Sequence, residues 1–295
     1  MKDHLKKVHK NKPLVSIITT VYNGEKYIEN TILSILNQTY SNIEYIIIDG
    51  GSTDGTLSII EKYKENIDFF ISEEDRGMYD GINKGMRCAT GEIYAYLNAD
   101  DLYEVDAIQI VVDKFQKSNC SLVFGHCTYI DENGKELYKN RAVQLPSYLV
   151  RWLGRIPFSQ QTAFWKKEVY IKIGGFDTDL KYVADSKFFF KILLDKTISY
   201  CNTGEYLAKF RWHSEGFSSA HLASMSKEGI LMRGEINVVR CTNMQNCLKK
   251  SLAEFLVKMH NADNIFKKNM YKIIFRTTPM FLFSFALMFQ TGILR

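Results

Sequence analysis

Four short apolar runs near the start of the chain each end in a polar cluster, with helix-like spacing between them. Residues 14–21 form a β-branched run opened by Pro13 and followed by Tyr22-Asn23. Residues 43–48 run into Asp49-Gly50-Gly51-Ser52, and residues 67–71 lead to 73–76. Residues 92–97 lead directly into Asn98-Ala99-Asp100-Asp101. In between, residues 25–38 space Tyr27, Ile28, Ile32, Ile35 and Leu36 as one helical face, and 56–63 and 78–87 also read as helices. Such alternation predicts an α/β protein with a mostly parallel central sheet flanked by helices. With right-handed crossovers, the four clusters become neighbours past the carboxyl ends of the strands, where such sheets bind ligands.

Beyond residue 120 the pattern is less regular. Residues 121–130 read as a strand with a turn at Glu132-Asn133-Gly134, 144–156 are mixed, and 162–165 are apolar. Residues 166–173 read as a short helix stopped by Gly174-Gly175, and 185–194 as a helix carrying Phe188, Phe189 and Phe190. Two strands are expected at 199–200 and 206–212, with a helical, basic extension from about 221. The expected organisation is a basic tail at 1–13, a catalytic domain at 14–220 divided near 120, and an extension at 221–295.

Charge follows this division. Residues 1–13 hold five lysines and one aspartate, residues 14–226 hold 22 basic and 28 acidic side chains, and residues 227–276 hold ten basic and four acidic. An acidic body with basic ends argues against a nucleic-acid partner, which needs a basic stripe across the folded face. It suits a body that holds a cation. The six cysteines lack C-x-x-C or zinc-like spacing, so free or buried thiols in a reducing cytosol are expected. No apolar run follows the N-terminal charges, so no cleaved signal is expected. Residues 277–294 carry no charge and follow Lys267, Lys268, Lys272 and Arg276. That pattern points to peripheral contact through 265–295 with a membrane surface or a hydrophobic partner, the alternative being a helix packed on the body.

Asn98-Ala99-Asp100-Asp101 places two carboxylates at a strand end, a hard-oxygen arrangement suited to Mg²⁺ or Mn²⁺ together with substrate phosphates. A helix cap, with the helix starting near Glu104, is the equally simple reading. The glycine-rich turn after Asp49 lets backbone approach a ligand, or is only a turn with Ser52 or Asp54 as cap. Asp185 opens a helix ahead of three phenylalanines, a setting for a general base or again for a cap. His213 offers a metal ligand or a pyrophosphate contact, although an isolated histidine is usually neither. Both G-x-G-x-x-G and a P-loop are absent.

The set Val15-Ser-Ile-Ile-Thr-Thr-Val-Tyr-Asn23, Ile48-Asp-Gly-Gly-Ser-Thr-Asp54, Asp75-Arg-Gly-Met-Tyr-Asp-Gly-Ile-Asn83-Lys-Gly85, Leu97-Asn-Ala-Asp-Asp101, Gly174-Gly-Phe-Asp177 and Val183-Ala-Asp185 resembles glycosyltransferase family 2, in its bacterial surface-polysaccharide branch. The similarity covers about residues 13–220. It implies a GT-A fold and a metal-dependent, inverting transfer from a nucleotide sugar, with uridine favoured, to a glycan or lipid-linked acceptor at the cytoplasmic face of the membrane. By the same resemblance, Thr20, Tyr22, Asn23 and Asp49 would line the base and ribose. Asp75, Arg76, Gly77, Asn83 and Lys84 would border the donor. Asp100 matches the last carboxylate of the family's D-x-D metal motif, Asn98 replaces the first, and Asp101 assists. Asp185 matches the catalytic base, and Gln160, Gln161 and Phe164 would sit near the sugar or acceptor. A catalytically inactive nucleotide- or carbohydrate-binding module is the alternative that Asn98 favours. A nucleotidyltransferase is disfavoured, because residues 19–24 offer no lysine or arginine for a triphosphate.

Truncation at about residue 276 is expected to move the protein out of the membrane fraction. Unchanged fractionation would count against membrane contact by the apolar segment.

Overall fold

The apolar run after Pro13 becomes the centre of the sheet. In the computed structural model, which describes residues 12–236, every residue of β1 (Val15–Val21) is buried. A strand covered on both faces reads as a continuous apolar run, which explains why it carries no alternation. β2 (Ile43–Asp49) and β4 (Ile93–Tyr96) pair with β1 in parallel on either side, and β3 (Phe69–Ser72) pairs in parallel with β2. The chain steps outward from β1 to β3 and then returns to the other side of β1. The carboxyl ends of β1 and β4 therefore flank a topological switch point, where a crevice opens.

Four helices serve this half: α1 (Ile28–Leu36), α2 (Thr56–Lys62), α3 (Met78–Cys88) and α4 (Ala107–Lys117). α1 buries Ile28, Ile32 and Ile35, and α4 buries Ile108, Val111 and Val112, in one core with β1. α3 lies close on β1 because it presents glycine there. A Cβ at Gly85 would stand 2.6 Å from Ile18 Cγ2 and 3.3 Å from Ile48 Cγ1.

The sheet continues from β4 through the remaining strands in the order β8-β6-β9-β5. Here β5 is Leu102–Tyr103, β6 is Leu122–Ile130, β8 is Phe164–Lys166 and β9 is Tyr200–Arg211. β7 (Glu136–Asn140) pairs with the outer part of β6. α5 (Ser147–Leu153), α6 (Lys167–Ile173) and α7 (Ala184–Leu194) follow, with α8 (Phe217–Ala220) and α9 (Leu222–Glu235) at the end of the described residues. The three consecutive phenylalanines of α7 are all buried. Trp165 lies 5.2 Å from Phe188 and 5.7 Å from Phe189, centroid to centroid, and Phe176 stacks on Phe188 at 4.4 Å. This aromatic packing seats α7 through the turn that follows Asp185.

Several elements differ from the sequence expectation. The two strands expected at 199–200 and 206–212 are one strand, β9. Gly204, at φ +84°, is accommodated within it where the register against β6 shifts. A bulge absorbs a residue that reads in sequence as a break. The first helix begins at Ile28 rather than at Glu25, because Tyr27 N–H bonds back to Gly24 O and forms a turn. No helix starts at Glu104. Asp101 leads into β5, and α4 begins at Ala107, so the helix-cap reading of Asp100 and Asp101 fails.

Not all thiols are free. Cys120 and Cys201 form a disulfide, and adjacent strands bring them together, with Val123 registered on Cys201. Their sequence separation of 81 residues concealed the pair. Cys88 and Cys127 are free. No helix among the described residues is long and apolar enough to cross a membrane. Residues 1–11, Cys241, Cys247 and the apolar segment 277–294 lie outside the described residues.

Gly85→Ala is expected to destabilise the protein by about 1–3 kcal/mol through overpacking on Ile18, despite alanine's better helix propensity. Urea denaturation measures this, and unchanged stability would mean that α3 is free to shift.

Candidate active site

A cleft of about 770 Å³ opens at the switch point. Thr20, Tyr22 and Asn23 line it from the end of β1, Asp75 and Gly77 from the loop after β3, and Asn98 and Asp100 from the loop after β4. The second half of the chain contributes Gln160, Gln161, Asp185 and His213. Eleven of the residues singled out in the sequence therefore meet in one cavity, drawn from six separate stretches.

The loop after β4 gives its two carboxylates opposite surroundings. Asp101 is fully buried and accepts from Arg211 N–H at 3.0 Å and from Gln161 Nε2 at 2.8 Å. Burial, then the charge of Asp100, holds its pKa well above the usual carboxylate range. Asp101 thus anchors the loop from inside and does not line the cleft. Asp100 points the other way. Its side chain keeps 27% exposure, and Oδ2 lies 3.0 Å from His213 Nε2. His213 is itself 7% exposed at the side chain and lies 4.8 Å from the Tyr27 ring. Asn98 Oδ1 and His213 Nδ1 are buried without a hydrogen-bond partner.

These donors fit a divalent cation only in part. Among the described residues no cluster of three His, Cys, Asp or Glu side chains is poised to hold a metal alone. The Asp100 carboxylate and the unsatisfied Asn98 amide oxygen suit Mg²⁺ or Mn²⁺ where substrate oxygens complete the shell, the common arrangement for phosphate substrates, while the His213 imidazole beside them is a softer ligand than these hard cations prefer.

Asp185 lies in the first turn of α7, partly open to the cleft. It does not cap the helix, since the N-cap is Val183. Its Oδ1 accepts from Tyr79 Oη at 3.0 Å and from Ser186 N–H at 2.6 Å. Burial raises its pKa from the ordinary carboxylate value, and these two donors oppose the rise. A carboxylate with a raised pKa and a fixed orientation is suited to accept a proton from a hydroxyl.

Other expected contacts have different roles. Asp49 is completely buried and receives Gly51 N–H and Ser52 N–H at 3.0 Å each, and Ser72 Oγ at 2.7 Å. Ser52 Oγ in turn accepts from Asn23 N–H at 2.8 Å, so Asp49 ties the loops after β1 and β2 together. Its carboxylate is spent on the protein and does not line the cleft. Asn83 is similarly spent, donating to Phe176 O at 2.7 Å and accepting from Phe176 N–H and Tyr170 Oη. Lys84 pairs with Glu73 at 2.8 Å, and the exposed Arg76 faces Asp80 at 3.4 Å; neither lines the cleft. Phe164 is core, 5.4 Å from the Tyr103 ring.

Sequence reasoning missed Tyr79 and Arg211. Tyr79 lies inside the Asp75–Gly85 motif, but nothing local shows that it reaches Asp185. Arg211 bonds Asp100 O through Nε at 3.0 Å while its ring neighbour is Tyr27, contacts that only the folded chain creates.

A mostly parallel sheet with an acidic loop beside its switch point and a carboxylate across the cleft is the arrangement of the GT-A fold. The family model for glycosyl transferase family 2 matches residues 16–178. A glycosyltransferase of Rickettsia typhi is 31% identical over 266 residues, covering 88% of this chain and 81% of its own. The chain belongs to glycosyltransferase family 2 and is a glycosyltransferase. A Bacillus subtilis protein named for teichuronic acid biosynthesis, TuaG, is 35% identical over 131 residues, 43% of this chain and 52% of its own. Staphylococcus aureus TarS 1-349, solved with UDP-GlcNAc, superposes with a TM-score of 0.60 at 22% identity, covering 82% of this chain and 71% of its own. The Pyrobaculum calidifontis mannosyltransferase PcManGT, solved with GDP-Man and Mn²⁺, gives 0.54 at 19% identity, covering 89% and 79%.

Replacing the two adjacent aspartates is expected to have opposite consequences. Asp101→Ala strands the Arg211 N–H and the Gln161 amide and should cost about 2–4 kcal/mol of stability. Asp100→Ala should cost less, about 1 kcal/mol, since its carboxylate is partly open to the cleft and only the His213 Nε2 contact is lost. Equal losses on urea denaturation would contradict the division.

Proposed function

We propose that the protein transfers a sugar, with inversion, from a nucleotide-diphosphate sugar to a hydroxyl of a glycan or lipid-linked acceptor in polysaccharide biosynthesis. The observation that carries this reading is the pairing of Asp100 with His213 in the same cleft as Asp185. UDP is the favoured nucleotide; the likeness to a structure holding UDP-GlcNAc supports it, as the relative named for teichuronic acid biosynthesis supports the pathway class. The cytoplasmic face of the membrane is the proposed location.

Thr20, Tyr22, Asn23, Asp75 and Gly77 form the donor side of the cleft. Asp100 and His213, with the free amide oxygen of Asn98, would hold Mg²⁺ or Mn²⁺. Such a cation would supply neutralising charge for the diphosphate leaving group. Asp185 accepts the proton of the acceptor hydroxyl as that oxygen bonds to the anomeric carbon and the bond to the diphosphate breaks. Tyr79 and Ser186 hold the carboxylate ready in its ionised form.

The test is a panel of nucleotide sugars with Mn²⁺, read by nucleotide release. Turnover is expected with at least one donor and is expected to need the metal. Asp185→Ala should lower kcat by about 10²–10⁴-fold. Because only ionised Asp185 accepts a proton, kcat should fall as the pH drops through its raised pKa. Wild-type rates from both Asp100→Ala and Asp185→Ala would refute these roles. Nucleotide binding without turnover across the panel would indicate a binding module.

A further inference from the structure

Three consecutive backbone N–H groups just before α7 converge on one carboxylate. Lys181 N–H donates to Glu228 Oε1 at 2.8 Å, and Tyr182 N–H and Val183 N–H donate to Oε2 at 2.6 and 2.9 Å. Successive N–H groups of this kind form an anion nest, and hydrogen bonds to an ionised acceptor are about twice as strong as neutral ones. Glu228 comes from α9, beyond both the residues matched by the family model and the domain end read from the sequence.

The clamped turn leads directly to the base. Asp185 lies two residues after Val183. The Tyr79 hydroxyl that donates to Asp185 Oδ1 at 3.0 Å also reaches Tyr182 O at 3.2 Å. The backbone of residue 182 is therefore held at its N–H by Glu228, and its carbonyl lies beside the Tyr79 hydroxyl, whose single proton is shared between it and Asp185. A second tie joins the same two helices, because Lys187 of α7 bridges Asp177 at 2.7 Å and Glu235 of α9 at 2.6 Å. Removing the Glu228 carboxylate would leave three N–H groups without that acceptor and free the turn that aims Asp185.

We infer that Glu228 is a positioning residue for the base: by clamping residues 181–183 it fixes the orientation of Asp185, which makes α9 part of the catalytic apparatus. This inference rests on the reading of Asp185 as the base. Glu228 touches neither reacting atom, so its effect belongs in kcat and not in donor binding.

The test compares full-length wild type, Glu228→Ala, Glu228→Gln and Asp185→Ala with the most active nucleotide sugar of the donor panel. UDP titration with Mn²⁺ and thermal melting normalise each variant to its folded fraction. Glu228→Ala is expected to lower kcat about tenfold to a hundredfold with donor KM within about twofold of wild type. Glu228→Gln, which keeps a carbonyl oxygen for the nest, is expected to recover part of the loss. Wild-type kcat in Glu228→Ala beside an inactive Asp185→Ala would overturn the positioning role alone, as would a fall that only tracks folded fraction or donor KM. An active Asp185→Ala would instead overturn the base. Should Glu228→Ala fail to fold, Glu228→Gln decides: reduced kcat at unchanged donor KM supports the role, and wild-type kcat overturns it.

Discussion

The buried carboxylate of Asp101 is the constraint on which the site depends. It joins the loop after β4 to β9 through Arg211 N–H and to the short turn Gln160–Thr162 through the Gln161 amide. Thr31 of α1 adds a bond to the backbone carbonyl of the same residue at 2.9 Å. A carboxylate taken out of water is costly unless its acceptor sites are filled, so these partners are required. Because Asp101 faces inward, Asp100 faces the cleft, and β9 delivers His213 beside it. One inward carboxylate thereby sets the direction of the outward one.

The parallel half of the fold was legible because β1, β4 and most of β2 are buried on both faces and read as apolar runs, while the exposed edge strand β3 was marked by its apolar residues and the polar cluster after it. The sequence also identified the clusters that end those strands, and most of them line the cleft. What it could not separate was a residue that touches ligand from one that builds the wall. Asp49 and Asn83 lie in the most recognisable motifs, yet their polar atoms are consumed by Ser52, Ser72, Phe176 and Tyr170. A motif records that a polar side chain is needed, not which partner it satisfies.

The second half was harder for a physical reason. β9 crosses a glycine without ending, and the Cys120–Cys201 pair depends on strand register rather than spacing. The contacts that orient Asp185 come from Tyr79, 106 residues away in sequence, and through residues 181–183 from a helix beyond the motif-bearing region. Long-range hydrogen bonds leave no periodic trace. The run of three phenylalanines did leave a local mark, and it located α7, whose first turn carries Asp185.

In the proposed single displacement the leaving group is served by Asp100 and His213 and the acceptor proton by Asp185, which line different parts of one cleft. The most direct measurement is the anomeric configuration of the transferred sugar, read by ¹H NMR in the first product formed from the active donor. Inversion relative to the donor is predicted. Retention would contradict a single displacement based on Asp185.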